Sequence, residues 1–244
     1  MRFTVVIPAR YASQRLPGKP LAELAGKPML LHACDCAKRS GAARVIVATD
    51  DARIQQACEK AGIEVQMTAA SHASGTDRIA EVVERLGFDD EELVVNLQGD
   101  EPMMPPANIE QVARLLESDA DMSTLCTPIH DHAEFINPNV VKVVADGRGR
   151  ALYFSRAPIP WNRDGAGELH EALRHIGIYG YRAEALKRLS VAPPCELEQL
   201  EKLEQLRALW LGMSIAVGVA RQVPGPSVDT PEDLLRVAAL TRGH

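Results

Sequence analysis

Three cationic side chains follow the first apolar segment of the chain and lie within ten residues of one another. The cations are Arg10, Arg15 and Lys19, and Ser13 and Gly18 lie between them. Arginine binds phosphate oxygens in pairs, lysine adds a mobile point charge, and glycine lets the backbone approach an anion closely. The spacing predicts a loop that binds polyphosphate, with a solvated basic loop as the alternative.

The loop matches neither of two widespread phosphate-binding motifs. Pro20 follows Lys19 where a P-loop has Ser or Thr, and the three-glycine pattern of dinucleotide-binding folds does not occur in this segment. A NAD-dependent dehydrogenase is therefore disfavoured.

Two aspartates are candidates for holding a divalent cation. Asp100 follows an apolar strand pattern through Gln98 and Gly99, and Asp229 stands at the start of the last helical pattern. Mg²⁺ prefers one or two carboxylates together with phosphate oxygens and water. From spacing alone, a turn residue at Asp100 and a helix cap at Asp229 are equally good interpretations.

Strand patterns and helical patterns alternate over the first half of the chain. The predicted strands are Phe3–Ile7, Arg44–Thr49, Glu64–Thr68 and Leu93–Leu97. The predicted helices are Met29–Arg39, Asp51–Ala61, Asp77–Leu86 and Pro106–Glu117. This order predicts an α/β fold of the Rossmann-like type, with a mostly parallel sheet and helices on both faces. Ligands bind at the carboxyl ends of the strands in such sheets, where the cationic loop and Asp100 lie.

The alternation changes after about residue 120. Asn139–Ala145, Ala151–Ser155 and His175–Arg182 read as strands without helices between them, which predicts a smaller antiparallel extension over roughly 121–200 within a single domain of residues 1–244. The extension could serve sugar binding or a partner subunit. One long amphipathic helix over Leu197–Leu211, a strand over Ser214–Ala220 and a last helix after Thr230 complete the prediction.

Composition narrows the class of protein further. The chain has 244 residues and a formal net charge of −6, with 46% hydrophobic and 4% aromatic residues, which is typical of a globular protein with an aliphatic core. A net acidic chain is a poor candidate for general nucleic-acid binding, and no apolar stretch approaches the length needed to cross a bilayer. Five scattered cysteines and no apparent signal peptide predict free thiols in the cytoplasm.

The segment Ile7–Leu21 resembles the nucleotide-binding signature of sugar nucleotidyltransferases, and more narrowly of the 3-deoxy-manno-octulosonate cytidylyltransferase (CMP-KDO synthetase) family. Gln14 stands where that family usually has Thr. Further blocks that resemble the family in order are Ser74–Arg78, Asn96–Pro102, Phe154–Pro160, His175–Tyr179, Leu203–Arg207 and Val228–Asp233. The resemblance extends over essentially the whole chain.

The resemblance implies transfer of CMP from CTP to 3-deoxy-D-manno-octulosonate (KDO) with release of pyrophosphate, for lipopolysaccharide biosynthesis. It implies Mg²⁺ as cofactor and a homodimer as the assembly. The implied nucleotide-binding residues are Ala9, Arg10, Ser13, Arg15, Lys19, Ser74, Gly75 and Arg78. The implied sugar-binding residues are Gln98, Arg156, His175, Tyr179, Glu204 and Gln205. Lys19, Arg10, Asp100 and Asp229 are the implied catalytic groups, and the two aspartates hold the metal.

Two alternatives concern the acceptor and its site. Leu-Glu-Gln-Leu occurs twice, so Glu198-Gln199 is the fallback for Glu204-Gln205. Another acidic sugar, such as a sialic acid, is the alternative acceptor. A nucleotide sensor without turnover is disfavoured, because a sensor does not need the reacting centre.

Overall fold

The computed structural model describes residues 1–12, 16–72, 74–165 and 172–241. The strands are β1 (Phe3–Ala9), β2 (Glu23–Leu24), β3 (Lys27–Pro28), β4 (Arg44–Thr49), β5 (Glu64–Met67), β6 (Leu93–Asn96), β7 (Met122–Pro128), β8 (Lys142–Ala145), β9 (Ala151–Ser155), β10 (Leu173–Arg182) and β11 (Ile215–Val219). The helices are α1 (Met29–Arg39), α2 (Ala52–Lys60), α3 (Gly75–Arg85), α4 (Pro106–Leu115), α5 (His132–Ile136), α6 (Ala183–Val191), α7 (Glu196–Glu201), α8 (Gln205–Trp210) and α9 (Pro231–Thr241).

A mostly parallel sheet forms the centre of the fold, in the order β11-β7-β10-β6-β1-β4-β5. β1 pairs in parallel with β4 and β6, β4 with β5, and β7 with β11. β10 runs antiparallel to both β6 and β7, and it also pairs with β8 of the antiparallel β8–β9 pair. The predicted fold class is confirmed.

Helices cover both faces of the sheet because side chains alternate along each buried strand. In β1, Val5 and Ile7 pack into one apolar cluster with residues of α1, α2 and α4. Val6 packs into the other cluster, with residues of α3, α6 and α8. None of the helices that the structure describes combines the length and apolar character needed to span a bilayer.

The prediction of one long helix over Leu197–Leu211 is wrong. The chain forms α7 and α8, and Lys202 between them adopts the left-handed conformation with φ 54° and ψ 48°. Glu198 of α7 and Arg207 of α8 form a buried ion pair across the break, with Nε–Oε2 and Nη2–Oε1 distances of 2.7 and 2.5 Å. Neither Gly nor Pro marks the break in the sequence. Tertiary contacts hold it instead, so the helical pattern continues through it.

Several further elements were not predicted, and the largest of them are β7 and α6. β7 lies between β11 and β10, and α6 follows β10 directly. β7 carries the buried polar residues Ser123 and Thr124, whose hydroxyls donate to backbone carbonyls rather than to water. Because of these two polar residues, the sequence of β7 does not show the apolar pattern of a buried strand.

Candidate active site

A cleft of about 870 Å³ opens at the carboxyl ends of β1 and β6. The nucleotide-binding residues of the sequence prediction that line it are Ala9, Arg10, Lys19, Ser74, Gly75 and Arg78. Ser13 and Arg15 lie outside the described residues. The cleft therefore joins the end of β1, the loop that follows it and the start of α3.

Lys19 is held at the cleft by a tight turn. Gly18 has φ +67°, in the left-handed region, and its backbone N–H donates to the carbonyl oxygen of Tyr11 at 3.3 Å. A Cβ on Gly18 would lie 2.9 Å from the Tyr11 hydroxyl, so a side chain there would displace Tyr11, and the backbone angle itself favours glycine. A short 3₁₀ helix over Lys19–Leu21 follows.

Lys19 meets both predicted metal-binding aspartates. Its Nζ lies 2.7 Å from Oδ2 of Asp100 and 2.9 Å from Oδ1 of Asp229. The backbone N–H of Val228 also donates to the carbonyl oxygen of Asp100 at 3.0 Å, which fixes the start of the α9 segment beside the end of β6. Two carboxylate oxygens within hydrogen-bond distance of one ammonium are close enough for one cation to contact both.

Negative charge is concentrated at this corner of the cleft. Burial lowers the pKa of Lys19, but attraction and hydrogen bonds from Asp100 and Asp229 outweigh burial, so the pKa is raised and the ammonium is charged at neutral pH. Burial raises the pKa of Glu101 to about 8, and the charges of Asp100 and Asp229 add to that rise.

The donor set at this corner fits a hard cation that also binds ligand oxygens. Two aspartates supply oxygen atoms, as Mg²⁺ prefers. Among the described residues there is no group of three or more His, Cys, Asp or Glu side chains that could hold a metal by itself. A metal held here would therefore complete its coordination with phosphate oxygens and water.

The start of α3 forms another part of the cleft's wall. The Ser74 hydroxyl accepts from the backbone N–H of Asp77 at 3.1 Å, and the Asp77 carboxylate accepts from the backbone N–H of Ser74 at 3.2 Å. The first-turn N–H groups at Gly75 and Thr76 have no acceptor within the helix, which makes this end of α3 suitable for an anion or a polar base. Gly75 lies close to Pro8: a Cβ at position 75 would be only 3.1 Å from the proline ring.

Arg78 is buried behind that wall rather than extended into solvent. Its guanidinium donates to Oδ2 of Asp50 at 3.1 Å and also bonds the hydroxyl of Thr68. Arg78 therefore lines the cleft with its charge already balanced, and it ties α3 to the ends of β4 and β5.

A second pocket of about 310 Å³ adjoins the cleft. Gly75, Gln98 and Glu204 line both cavities and form their common wall. Tyr179 and Gln205, which were predicted to bind the sugar, also line the pocket.

The pocket presents hydroxyl and amide groups. Thr76 donates its hydroxyl to Oε2 of Glu204 at 2.9 Å, and Gln98 Nε2 donates to Oδ1 of Asn96 at 2.8 Å. Nε2 of Gln205 is buried and has no hydrogen-bond partner. A buried amide donor without a partner is costly, so this atom points to a ligand acceptor in the pocket.

Burial also sets the protonation of the pocket. It raises the pKa of Glu204, which the hydrogen bond from Thr76 counteracts. It raises the pKa of Tyr179 and of Tyr181 as well, so both phenols stay protonated and can donate at neutral pH.

The structure distinguishes the two Glu-Gln pairs. Glu198 is buried in its ion pair with Arg207, and Nε2 of Gln199 donates to the carbonyl oxygen of Pro194 at 3.3 Å. Glu204 and Gln205 are the pair that reaches the pocket.

Two predicted sugar-binding residues are not brought into either cavity. Arg156 donates Nε to the carbonyl oxygen of Glu201 at 2.6 Å and Nη1 to that of Pro138 at 2.9 Å. His175 lies behind Tyr179, with ring centroids 5.3 Å apart, and its Nε2 lies 3.0 Å from Oγ1 of Thr124. Burial lowers the pKa of His175 to about 3, so the ring is neutral.

Sequence reasoning missed several residues that line the pocket, of which three carry side-chain polar groups on α3, β6 and β10, and one acidic neighbour of the aspartates. These three and the acidic neighbour are Thr76, Asn96, Tyr181 and Glu101. Tyr181 follows Tyr179 by two positions on one strand, and this period of two places both on one face. That spacing was an available signal.

The family model described as cytidylyltransferase matches residues 4–215 of the chain. A protein of Marinobacter nauticus named 3-deoxy-manno-octulosonate cytidylyltransferase is 57% identical over an alignment of 253 positions, which covers 98% of this chain and 97% of that protein. A solved structure of CMP:2-keto-3-deoxy-manno-octonic acid synthetase complexed with CTP has a TM-score of 0.91 and 43% identity, and the match covers 100% of this chain and 99% of that one.

Proposed function

The chain belongs to the cytidylyltransferase family, and on that premise we propose that it transfers CMP from CTP to KDO, releasing pyrophosphate and forming CMP-KDO for lipopolysaccharide biosynthesis. The observation that carries the proposal is the common wall of Gly75, Gln98 and Glu204 between the charged cleft and the hydroxyl-lined pocket. A nucleoside triphosphate in the cleft and a sugar in the pocket would meet at that wall.

The cleft binds the nucleotide. Arg10 and Lys19 offer positive charge to the phosphates, and the first turn of α3 offers backbone N–H groups. Lys19 exchanges its contacts with Asp100 and Asp229 for phosphate oxygens, and its charge stabilises the negative charge that develops on the leaving pyrophosphate.

Mg²⁺ is the proposed cofactor, and Asp100 and Asp229 hold it. When bound, the ion neutralises phosphate charge and helps to align the triphosphate. The two aspartates that bind the Lys19 ammonium in the free protein would hold the ion when the nucleotide binds.

The pocket binds the sugar acid and orients it. Gln205 donates its unpaired amide to a sugar hydroxyl, Glu204 accepts from another, and Tyr179 and Gln98 complete the polar wall. A sugar hydroxyl then lies beside the α-phosphorus where the two cavities join and attacks in line. The new oxygen–phosphorus bond forms as the bond to pyrophosphate breaks, and the hydroxyl proton passes to solvent. The chain contributes position and charge, and the substrate contributes the nucleophile.

The assembly and compartment are part of the proposal. We infer a homodimer formed through the β8–β9 region, where Leu152 and Trp161 are 60% and 61% exposed, since exposed apolar side chains of this size favour an interface. All five cysteines are free and buried, which suits the reducing cytoplasm that supplies CTP. Light scattering on the purified protein tests the dimer, which requires twice the chain mass of 26.6 kDa.

Pyrophosphate release tests the reaction. The purified protein is given each of the four nucleoside triphosphates with Mg²⁺, with and without KDO, and in parallel with a sialic acid. We expect release only with CTP and KDO together. Release with the sialic acid but not with KDO would favour the alternative acceptor, and tight CTP binding without any release would favour a nucleotide sensor.

A further inference from the structure

The corner between α7 and α8 is held in a backbone conformation that its own sequence does not favour. Lys202 has φ 54°, and residues with a side chain adopt this left-handed region rarely and only where their surroundings impose it. The corner lines the pocket, since the four residues from Lys202 to Gln205 all border it. Whatever imposes the conformation of Lys202 therefore shapes the pocket.

Glu201 makes the contacts that anchor this corner to the sheet. Its Oε1 accepts from the Ser155 hydroxyl at 2.6 Å, and its Oε2 accepts from the backbone N–H of Arg156 at 2.8 Å. Its carbonyl oxygen accepts from Nε of Arg156 at 2.6 Å. One residue thus binds the end of β9 through both its side chain and its backbone.

The β9 end of this anchor is itself fixed. The carbonyl oxygen of Arg156 accepts from Nζ of Lys142 at 2.7 Å, and Lys142 is fully buried and donates also to Asn137 and Val140 carbonyls. On the other side of the corner, the Glu198–Arg207 ion pair joins α7 to α8. The corner is therefore clamped between a rigid strand end and a buried pair.

Glu201 has no place in the cavities themselves. Neither the cleft nor the pocket includes it among its lining residues, whereas the residues directly after it reach the pocket. α7 ends in a left-handed cap, in which the backbone N–H groups of Lys202 and Leu203 both donate to the carbonyl oxygen of Glu198. The bonds of Glu201 hold this cap against β9, and the chain reverses there to bring Glu204 and Gln205 inward.

We propose that Glu201 is a positioning residue of the acceptor site, which holds Lys202 in the left-handed conformation and so directs Glu204 and Gln205 at the sugar. This inference rests on the proposed function, because it takes the pocket to be the site of the sugar acid. Without Glu201 the corner relaxes and the two side chains lose their alignment, while Lys19, Asp100 and Asp229 at the other side of the cleft keep their mutual contacts.

A double-mutant cycle with Lys202→Gly tests the proposal, because glycine adopts the left-handed region without steric cost. In the wild-type background, Glu201→Ala raises the KM for KDO about tenfold, as expected when two hydrogen-bonding side chains lose their alignment. The KM for CTP stays within about twofold, since the phosphate-binding corner of Lys19, Asp100 and Asp229 makes no contact with Glu201. In the Lys202→Gly background, the same Glu201→Ala substitution raises the KM for KDO less than about threefold.

The matched control is Glu196→Ala, which removes an exposed carboxylate from the first turn of the same helix. It leaves both KM values unchanged. Glu201→Gln keeps an acceptor oxygen for Ser155 or Arg156 and gives an intermediate KM for KDO, so it serves where Glu201→Ala folds poorly.

Three results would overturn the proposal: an unchanged KM for KDO in Glu201→Ala, an equal rise in both backgrounds, or a parallel rise in the KM for CTP. Amide hydrogen exchange at residues 203–206 gives a readout without substrate. Exchange accelerates in Glu201→Ala and slows again in the double variant if Glu201 holds the corner. A wild-type protein inactive with KDO refutes the proposed function, whereas this exchange pattern still decides the role of Glu201.

Discussion

The cleft and the pocket adjoin each other but differ in the kind of polar group that lines them. In the cleft, charged groups balance one another: Lys19 lies between Asp100 and Asp229, and Arg78 binds Asp50. In the pocket, hydroxyl and amide groups dominate, and the amide nitrogen of Gln205 has no partner. The cleft is suited to exchange internal ion pairs for phosphate and metal, while the pocket holds donors for the hydroxyl groups of a sugar.

The two cavities also differ in what positions them. Loops after β1 and β6 and the start of α3 supply the cleft, so its groups converge because parallel strands end at one edge of the sheet. Strand faces and the α7–α8 corner supply the pocket, so its groups converge through side-chain contacts. Substitutions in the cleft should therefore change turnover and metal dependence, and substitutions in the pocket should change acceptor binding.

The largest effect that this comparison predicts belongs to Lys19→Ala. Turnover falls by about 10²- to 10³-fold or more, because the charge beside the leaving pyrophosphate is lost. Steady-state kinetics measures the fall, and circular dichroism shows a retained fold. Lys60→Ala removes an exposed cation on α2 and serves as control. A near-native rate in Lys19→Ala would remove Lys19 from the reacting centre.

Asp100→Asn tests whether the cleft holds Mg²⁺. One of two carboxylates is lost, so the Mg²⁺ concentration for half-maximal rate rises about tenfold or more. Calorimetry of Mg²⁺-CTP binding checks the same point independently of turnover. Asp89→Asn, at an exposed loop position, leaves the Mg²⁺ dependence unchanged. An unchanged dependence in Asp100→Asn would speak against a metal at this corner.

Gln205→Leu tests whether the pocket binds the sugar acid. The KM for KDO rises by about three- to tenfold through loss of one hydrogen bond, while the KM for CTP is constant. The free energy of unfolding is unchanged or higher, because a buried donor without a partner has been replaced by an apolar group. Denaturant unfolding measures this second effect. A loss of stability without any change in the KM for KDO would mean that Gln205 has a structural role only.

The last prediction concerns stability rather than kinetics, at His175 behind the pocket. Burial lowers its pKa to about 3, so the unfolded chain takes up a proton near pH 6.5 that the folded protein refuses. Stability is therefore lost as pH falls from 6.5 toward 3, at up to about 1.4 kcal/mol per pH unit from this group. Urea unfolding at pH 7 and pH 5 should show a smaller difference in His175→Gln. An equal difference in both proteins would indicate that His175 does not contribute.

The parallel half of the sheet could be predicted from the sequence because its signals are local. β1, β4 and β6 are short runs of buried apolar residues, and helical patterns separate them. The strand-end rule placed the loop of Lys19 near Asp100. The meeting of Asp229 with Lys19 depends on α9, which lies far along the chain, and only the family resemblance suggested it.

The antiparallel half was harder to predict because its signals are contacts between distant segments. β7 was missed since Ser123 and Thr124 satisfy their hydroxyls inside the sheet. The α7–α8 break was missed since Lys202 is neither Gly nor Pro. Arg156 was expected to bind the sugar, but its guanidinium is bound to backbone carbonyls outside both cavities.

Product analysis tests most directly whether the two cavities act on one reaction. The protein is incubated with CTP, Mg²⁺ and KDO, and the products are separated and identified by mass spectrometry. The account predicts one CMP-KDO for each pyrophosphate released, and neither product when KDO is left out. Pyrophosphate formed at the same rate without KDO, or without any accompanying CMP-KDO, would contradict it.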